Sequence, residues 1–115
     1  MRDDKENVII DLTFKFSLSI IDYCEKLESQ RKYVLARQLL KSGTSIGANS
    51  REAQNAESKN DFIHKFKIAA KEADETEYWL ELCKSSRHYP DPSELIPDLK
   101  VIIKIISKII GSSKG

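Results

Sequence analysis

The chain has 115 residues, of which 32% are charged and 40% are hydrophobic, and its formal net charge at pH 7 is +1. This length predicts one modest domain with its own hydrophobic core. The small net charge does not by itself identify any kind of partner. The longest apolar run is interrupted by Lys104 and Lys108 and is too short to span a membrane. With no basic and apolar leader at the N-terminus, the sequence predicts a cytoplasmic protein without a membrane role.

The first predicted helix covers about residues 7–28 and has two adjacent apolar rows. One row consists of Ile9, Leu12, Phe16, Ile20, Tyr23 and Leu27, and the other consists of Ile10, Phe14, Leu18, Ile21 and Cys24. Together the rows form an arc wider than one bundle core requires, and soluble monomers tend to avoid large exposed apolar patches. The surplus apolar surface favours self-association. The alternative is that the two rows form one broad stripe that faces the core of a single bundle.

The second predicted helix covers about residues 31–55 and contains a run of small residues at 42–50. A glycine inside a helix costs about 1 kcal/mol relative to alanine, so Gly43 and Gly47 need a physical reason. A phosphate-binding loop is one alternative, but no strand-like segment precedes the run and no Gly-Lys-Ser/Thr ending follows it. Three apolar residues keep a seven-residue spacing across it: Leu39, Ile46 and Ala53. The pattern favours a helix whose small surface admits a neighbouring helix, with packing residues Gly43, Ile46, Gly47 and Asn49.

The third predicted helix covers about residues 59–86 and is preceded by the capping-box spacing of Ser58 and Asp61. Its apolar residues recur at alternating intervals of four and three, which is typical of left-handed helix packing. These residues are Phe62, Phe66, Ala69, Ala73, Thr76, Leu80 and Cys83.

The fourth predicted helix covers about residues 97–110, after a short turn that contains Asp91 and Pro92. We expect this late start because Pro97 would break a helix that began earlier. Six isoleucines oppose three lysines on this helix and add a second surplus apolar surface. Because no segment alternates like a strand, the sequence predicts an all-α, antiparallel up-down-up-down four-helix bundle, with residues 1–115 as a single domain.

The sequence shows no pattern of a catalytic, cofactor or metal site. Di-iron bundles use matched carboxylates and two Glu-x-x-His motifs, whereas this chain has a single Asp61-x-x-His64 pair. Cys24 and Cys83 have no activating base nearby in the sequence, so we expect both to lie reduced in the core. The sequence therefore predicts a protein that is not an enzyme and uses no cofactor.

Several polar residues lie in or beside the packing rows. Asn49 and Thr76 occupy such rows, and Glu52 lies about one turn beyond Asn49. One interpretation joins Asn49, Glu52 and Glu75 in a ligand site. The favoured interpretation is a hydrogen-bonded network that sets the register between helices, the better attested use of buried polar groups.

Two segments are basic in an otherwise balanced chain. Residues 31–57 contain five basic and two acidic residues, and residues 99–115 contain four basic residues and no acidic one. Three lysines recur every fourth residue and form a basic stripe: Lys100, Lys104 and Lys108. A solvated helix face is the alternative, but repetition of the stripe around an oligomer would create a strong field. The pattern predicts weak, sequence-tolerant binding of RNA or DNA, with Arg37 and Lys41 as further contacts.

Five stretches of the chain closely resemble a known bacterial family. They are residues 38–49 (QLLKSGTSIGAN), 51–54, 56–59, 61–65 and 71–80 (KEADETEYWL). The chain is similar here to the four-helix-bundle family named for 23S ribosomal RNA intervening sequences, although Ser50 stands where a larger apolar residue is common. The resemblance implies an antiparallel bundle that assembles into a ring, typically a pentamer. It also implies kinship with the pentameric accessory proteins of diversity-generating retroelements, which bind nucleic acid and a reverse transcriptase.

That family has no settled biochemical activity. From the resemblance and the charge pattern together, we expect a homo-oligomer, most simply a pentamer, that binds RNA or DNA non-specifically through basic surface. The alternative is a protein–protein scaffold that binds an unidentified protein and has no nucleic-acid role.

Overall fold

Four helices make up the computed structural model, which describes the backbone of residues 4–114. They are α1 (Asp4–Ser29), α2 (Tyr33–Ala53), α3 (Lys59–Ser85) and α4 (Leu95–Lys114), and no strand occurs within these residues. Helices α1 and α3 each pack against α2 and α4, so α1 lies diagonally across from α3 and α2 from α4. The predicted all-α four-helix bundle is confirmed.

The connection between α1 and α2 is a tight turn without glycine. The Lys32 N–H donates to the Leu27 carbonyl (2.8 Å) and the Arg31 N–H donates to the Glu28 carbonyl (2.9 Å). This pair of bonds forms a Schellman motif, in which one residue adopts the left-handed conformation. Arg31 takes that position with a φ of 64°. Glycine is the usual residue there because a Cβ is strained in this conformation.

Helix α3 begins directly after Ser58, which caps its N-terminus. The Ser58 hydroxyl accepts a hydrogen bond from the Asp61 N–H (3.0 Å), and the Asp61 carboxylate accepts one from the Glu57 N–H (3.2 Å). The reciprocal bond thus reaches one residue further back than in a standard capping box. The first bond satisfies the Asp61 N–H, one of the backbone donors that a helix start leaves without intrahelical partners.

Helix α4 begins at Leu95, two residues before the predicted start. The Leu95 N–H donates to the Pro92 carbonyl (2.9 Å), and Asp91 accepts hydrogen bonds from the backbone and hydroxyl of Ser93. Pro97 is therefore the third residue of the helix. The expectation that it would delay the helix is wrong because N–H groups of the first turn have no intrahelical acceptor to lose.

The core is built from one buried row on each helix. The largest fully buried side chains include Ile20, Leu39, Phe66 and Ile106, one from each helix. Tyr23 is also buried, and its hydroxyl donates to the Pro90 carbonyl (2.6 Å). This bond ties α1 to the segment between α3 and α4. Burial raises the pKa of Tyr23 well above its usual value, so the hydroxyl stays a donor.

We expect Arg31→Gly to stabilise the protein by about 0.5–1 kcal/mol, because glycine removes the strain of the left-handed conformation at some cost in unfolded-chain entropy. Urea denaturation measures the change. Arg31→Ala is the matched control, since it removes the same long side chain but keeps the Cβ. Equal stability of the glycine and alanine variants would contradict the strain at this turn.

Candidate functional site and interaction surfaces

The small residues of 42–50 lie inside α2, and the two glycines among them face α1. A Cβ on Gly43 would lie 2.9 Å from Cγ1 and Cγ2 of Ile20, closer than side chains normally approach. A Cβ on Gly47 would lie 3.3 Å from the Cβ and the backbone oxygen of Thr13. The helix continues through both positions, so the alternative of a phosphate-binding loop is excluded.

One buried polar pair connects α2 to α3. The hydroxyl oxygens of Ser42 and Thr76 lie 2.9 Å apart, and the Thr76 hydroxyl donates to the Glu72 carbonyl (2.8 Å). Because Thr76 has a single hydroxyl proton, Ser42 supplies the proton between the two side chains. Both residues are almost fully buried, so the pair favours one register between the two helices.

The other predicted polar residues have separate partners. The Asn49 amide donates to the Ser45 carbonyl within α2 (2.9 Å), so its observed bond does not join two helices. Glu52 forms an exposed ion pair with Lys65 (3.0 Å), and the Glu75 carboxylate accepts a hydrogen bond from Trp79 Nε1 (3.1 Å). Ile46 is fully buried. Sequence reasoning noted Thr76 but missed its partner Ser42, whose position in a packing row opposite Thr76 was the available signal.

The cysteines have the chemistry of core residues. Cys24 and Cys83 are both buried and free. Burial raises the pKa of the Cys24 thiol to about 12, and its Sγ lies 3.4 Å from the Ala36 carbonyl oxygen. Burial also raises the pKa of Cys83. Neither thiol is therefore appreciably ionised at neutral pH, and the thiolate is the nucleophilic form.

The described residues contain neither a cluster of metal ligands nor a membrane-spanning helix. Within residues 8–114, whose side chains the structure describes, no three His, Cys, Asp or Glu side chains are grouped as metal ligands would be. None of the four helices combines the length and hydrophobicity that crossing a bilayer requires.

The basic stripe on α4 is exposed to solvent. Lys100, Lys104 and Lys108 are all exposed, and none forms an ion pair with a described carboxylate. Arg37 and Lys41 are exposed as well, but they belong to α2, which lies diagonally across the bundle from α4. Within one copy of the chain, the five predicted nucleic-acid contacts are therefore not brought together.

The surplus apolar surface lies on α1 and not on α4. On α1, the second row leaves Phe14, Leu18 and Ile21 more than two-fifths exposed. On α4, every one of the six isoleucines from Ile102 to Ile110 is buried or half-buried by the neighbouring helices. The expectation of a surplus on the fourth helix is wrong, because α1 and α3 cover its broad arc from two sides.

The exposed row of α1 borders a groove along α2. The groove has a volume of about 480 Å³ and lies beside Gly47. Phe14 and Ile10 line it from α1, and Arg51 lines it from α2 with its guanidinium 6.0 Å from the Phe14 ring. The groove combines an apolar wall with an exposed cation.

Comparisons with known proteins place the chain in one family. The model of the 23S rRNA-intervening sequence protein family matches residues 5–112, and the chain belongs to that family. The chain is also similar to a crystal structure from Bacteroides thetaiotaomicron, of a protein with unknown function from the S23 ribosomal protein family. That match has a TM-score of 0.88 and 42% sequence identity, and it covers 93% of this chain and 98% of the other. The comparison with curated proteins finds no significant match.

We expect Gly43→Ala to destabilise the bundle, because overpacking of about 1–3 kcal/mol outweighs the gain of about 1 kcal/mol in helix propensity. Gly111→Ala in α4 is the matched control, since an added Cβ there meets no atom within 4 Å. Thermal denaturation should show a lower midpoint for the first variant and an equal or higher midpoint for the second. A rise for both would contradict close packing at Gly43.

We expect Thr76→Val to lower stability by about 1–3 kcal/mol, because the buried Ser42 hydroxyl loses its partner. The double variant Ser42→Ala/Thr76→Val should recover part of this loss. A double-mutant cycle in urea measures the coupling, which we expect to exceed about 0.5 kcal/mol. Strictly additive effects would show that the pair contributes nothing to the pairing of α2 with α3.

Proposed function

We propose that this protein is a non-enzymatic homo-oligomer that binds the phosphate backbone of RNA or DNA along the basic stripe of α4. The observation that carries the proposal is the exposure of Lys100, Lys104 and Lys108 without a described carboxylate partner. Residues four apart on a helix are separated by about 6 Å along its axis, so the stripe presents three cations to a neighbouring strand.

The stripe has the chemistry of weak and sequence-tolerant binding. Lysine is a compact point charge that contacts phosphate, whereas base recognition uses planar donors and stacking aromatic rings. The exposed apolar neighbour of the stripe on α4 is Val101, which offers no aromatic surface. Affinity is therefore expected to depend on salt far more than on sequence.

Self-association supports the same proposal. Exposed apolar residues on α1 favour contact with another copy, and a pentameric ring is the form that the family resemblance leads us to expect. Each copy adds one stripe, so assembly multiplies a local charge that is weak in the single chain.

A protein–protein scaffold is the alternative function. The observation that favours it is the groove beside Phe14, with its apolar wall and the exposed Arg51. Capture of a protein partner that persists at high salt and after nuclease treatment would support this alternative.

We expect wild-type protein to bind labelled RNA and duplex DNA with an affinity that falls steeply with salt. Three phosphate contacts predict a slope of about −2.7 for duplex DNA, or roughly a forty-fold loss between about 50 and 200 mM salt. Filter binding with Lys100→Glu/Lys104→Glu/Lys108→Glu should show at least about a tenfold loss at the lower salt. The reason is that each substitution replaces a phosphate contact with a repelling charge.

The matched control is Lys26→Glu/Lys59→Glu/Lys67→Glu, which makes the same change in net charge at exposed lysines outside α4. Light scattering checks that both variants keep the oligomeric state of the wild type. Wild-type affinity in the stripe variant, or an equal loss in the control, would show that the stripe is a solvated face.

A further inference from the structure

Four exposed apolar residues lie beside the seam between α1 and α2 and define what is here called the α1/α2 face: Phe14, Leu18, Ile21 and Leu40. Their exposed fractions are 52%, 50%, 41% and 41%. The first three share a side of α1 by their spacing of four and three residues. Leu40 lies three residues before Gly43, which faces α1, so it borders the same seam from α2.

The α2 edge of this face is basic. Arg37 lies one turn before Leu40, and Arg51 lines the groove beside Phe14. Both arginines are exposed, and neither forms an ion pair with a described carboxylate. Arginine beside an apolar surface is a typical composition of a protein-binding site.

The outer surface of α3 has the opposite charge. Residues 72–81 contain five acidic residues and no basic one. Tyr78 is 57% exposed, and Leu82, one turn further on, is 37% exposed. Glu75 and Glu81 lie three residues before and after Tyr78 and therefore flank it on the helix surface. This α3 face, defined by Tyr78 and Leu82, combines an exposed aromatic ring with a carboxylate border.

We infer that the α1/α2 face of one copy binds the α3 face of a second copy. The two surfaces match in chemistry: each has exposed apolar residues, and the arginine edge of one complements the carboxylate border of the other. Tyr78 is the anchor, because tyrosine is a frequent energetic centre of interfaces. The inference rests on the proposed self-association and assigns the two surfaces that produce it.

The two faces differ from one another, so the contact is heterologous. Each copy then uses one face of each kind, and the assembly extends until the rotation between copies closes a ring. Helix α4 belongs to neither face, so its basic stripe stays uncovered in such an assembly. An isologous contact of two α1/α2 faces would instead leave the exposed aromatic ring of α3 without a partner.

The test uses Leu18→Glu on the α1/α2 face, Tyr78→Lys on the α3 face and Val101→Glu as the control. Val101 is as exposed as Leu18 but lies on α4, outside both faces. Light scattering coupled to gel filtration at micromolar concentration measures the mass. Wild type and Val101→Glu should assemble, while Leu18→Glu and Tyr78→Lys should each be monomeric, with dissociation constants at least about tenfold higher.

Mixing the two disrupted variants distinguishes this arrangement from an isologous one. Leu18→Glu keeps an intact α3 face and Tyr78→Lys keeps an intact α1/α2 face. One copy of each variant can therefore form a single intact interface with the other. The mixture should form a 1:1 dimer and nothing larger. Circular dichroism checks folding, and Leu40→Glu or Leu82→Lys on the same face replaces a variant that loses helicity.

A wild type that assembles while either variant keeps its full mass would overturn this interface and leave self-association standing. Dissociation by Leu18→Glu alone would show an isologous α1/α2 contact. A folded wild-type monomer at all concentrations would overturn self-association itself, and the interface with it.

Discussion

The close contact between α1 and α2 is the constraint on which the rest of the bundle depends. A Cβ on Gly43 would lie 2.9 Å from Ile20 and one on Gly47 would lie 3.3 Å from Thr13, so the two helices pack unusually closely there. The neighbouring residue Ser42 points to the other side and meets Thr76 of α3. A single short stretch of α2 therefore positions two of the four helices, and a change in it affects both contacts.

The same contact explains where the molecule exposes apolar surface. Helix α2 packs closely against α1 at the seam but leaves three residues of the second row exposed: Phe14, Leu18 and Ile21. Phe14 stays on the rim of the resulting groove. On α4 no such seam exists, and α1 and α3 cover the isoleucines from both sides. Exposure thus follows from helix spacing and not from hydrophobicity alone.

The surfaces of the bundle divide by chemistry. The interior contains protonated thiols and a satisfied hydroxyl pair, and every buried polar side chain in the described part of the chain has a hydrogen-bond partner. Charged and apolar groups available to a partner lie on the outside. The basic stripe occupies α4, while the apolar and acidic faces belong to α1, α2 and α3. The proposed assembly and the proposed phosphate binding therefore involve different residues.

Local sequence patterns determined the number of helices, most of their boundaries and the residues that face the core. Periodicity carries this information because a helix buries one side wherever its partners lie. The Ser58 cap was equally predictable, since its hydrogen bonds involve residues three positions apart.

Tertiary structure decided what depends on neighbours far away in the chain. The order of the helices around the bundle explains three features. It buries the isoleucines of α4, pairs Ser42 with Thr76 and separates Arg37 from Lys100. An apolar row is the same pattern in sequence whether another helix covers it or leaves it exposed. Only packing distinguishes the two, because burial is a property of pairs of helices and periodicity a property of one.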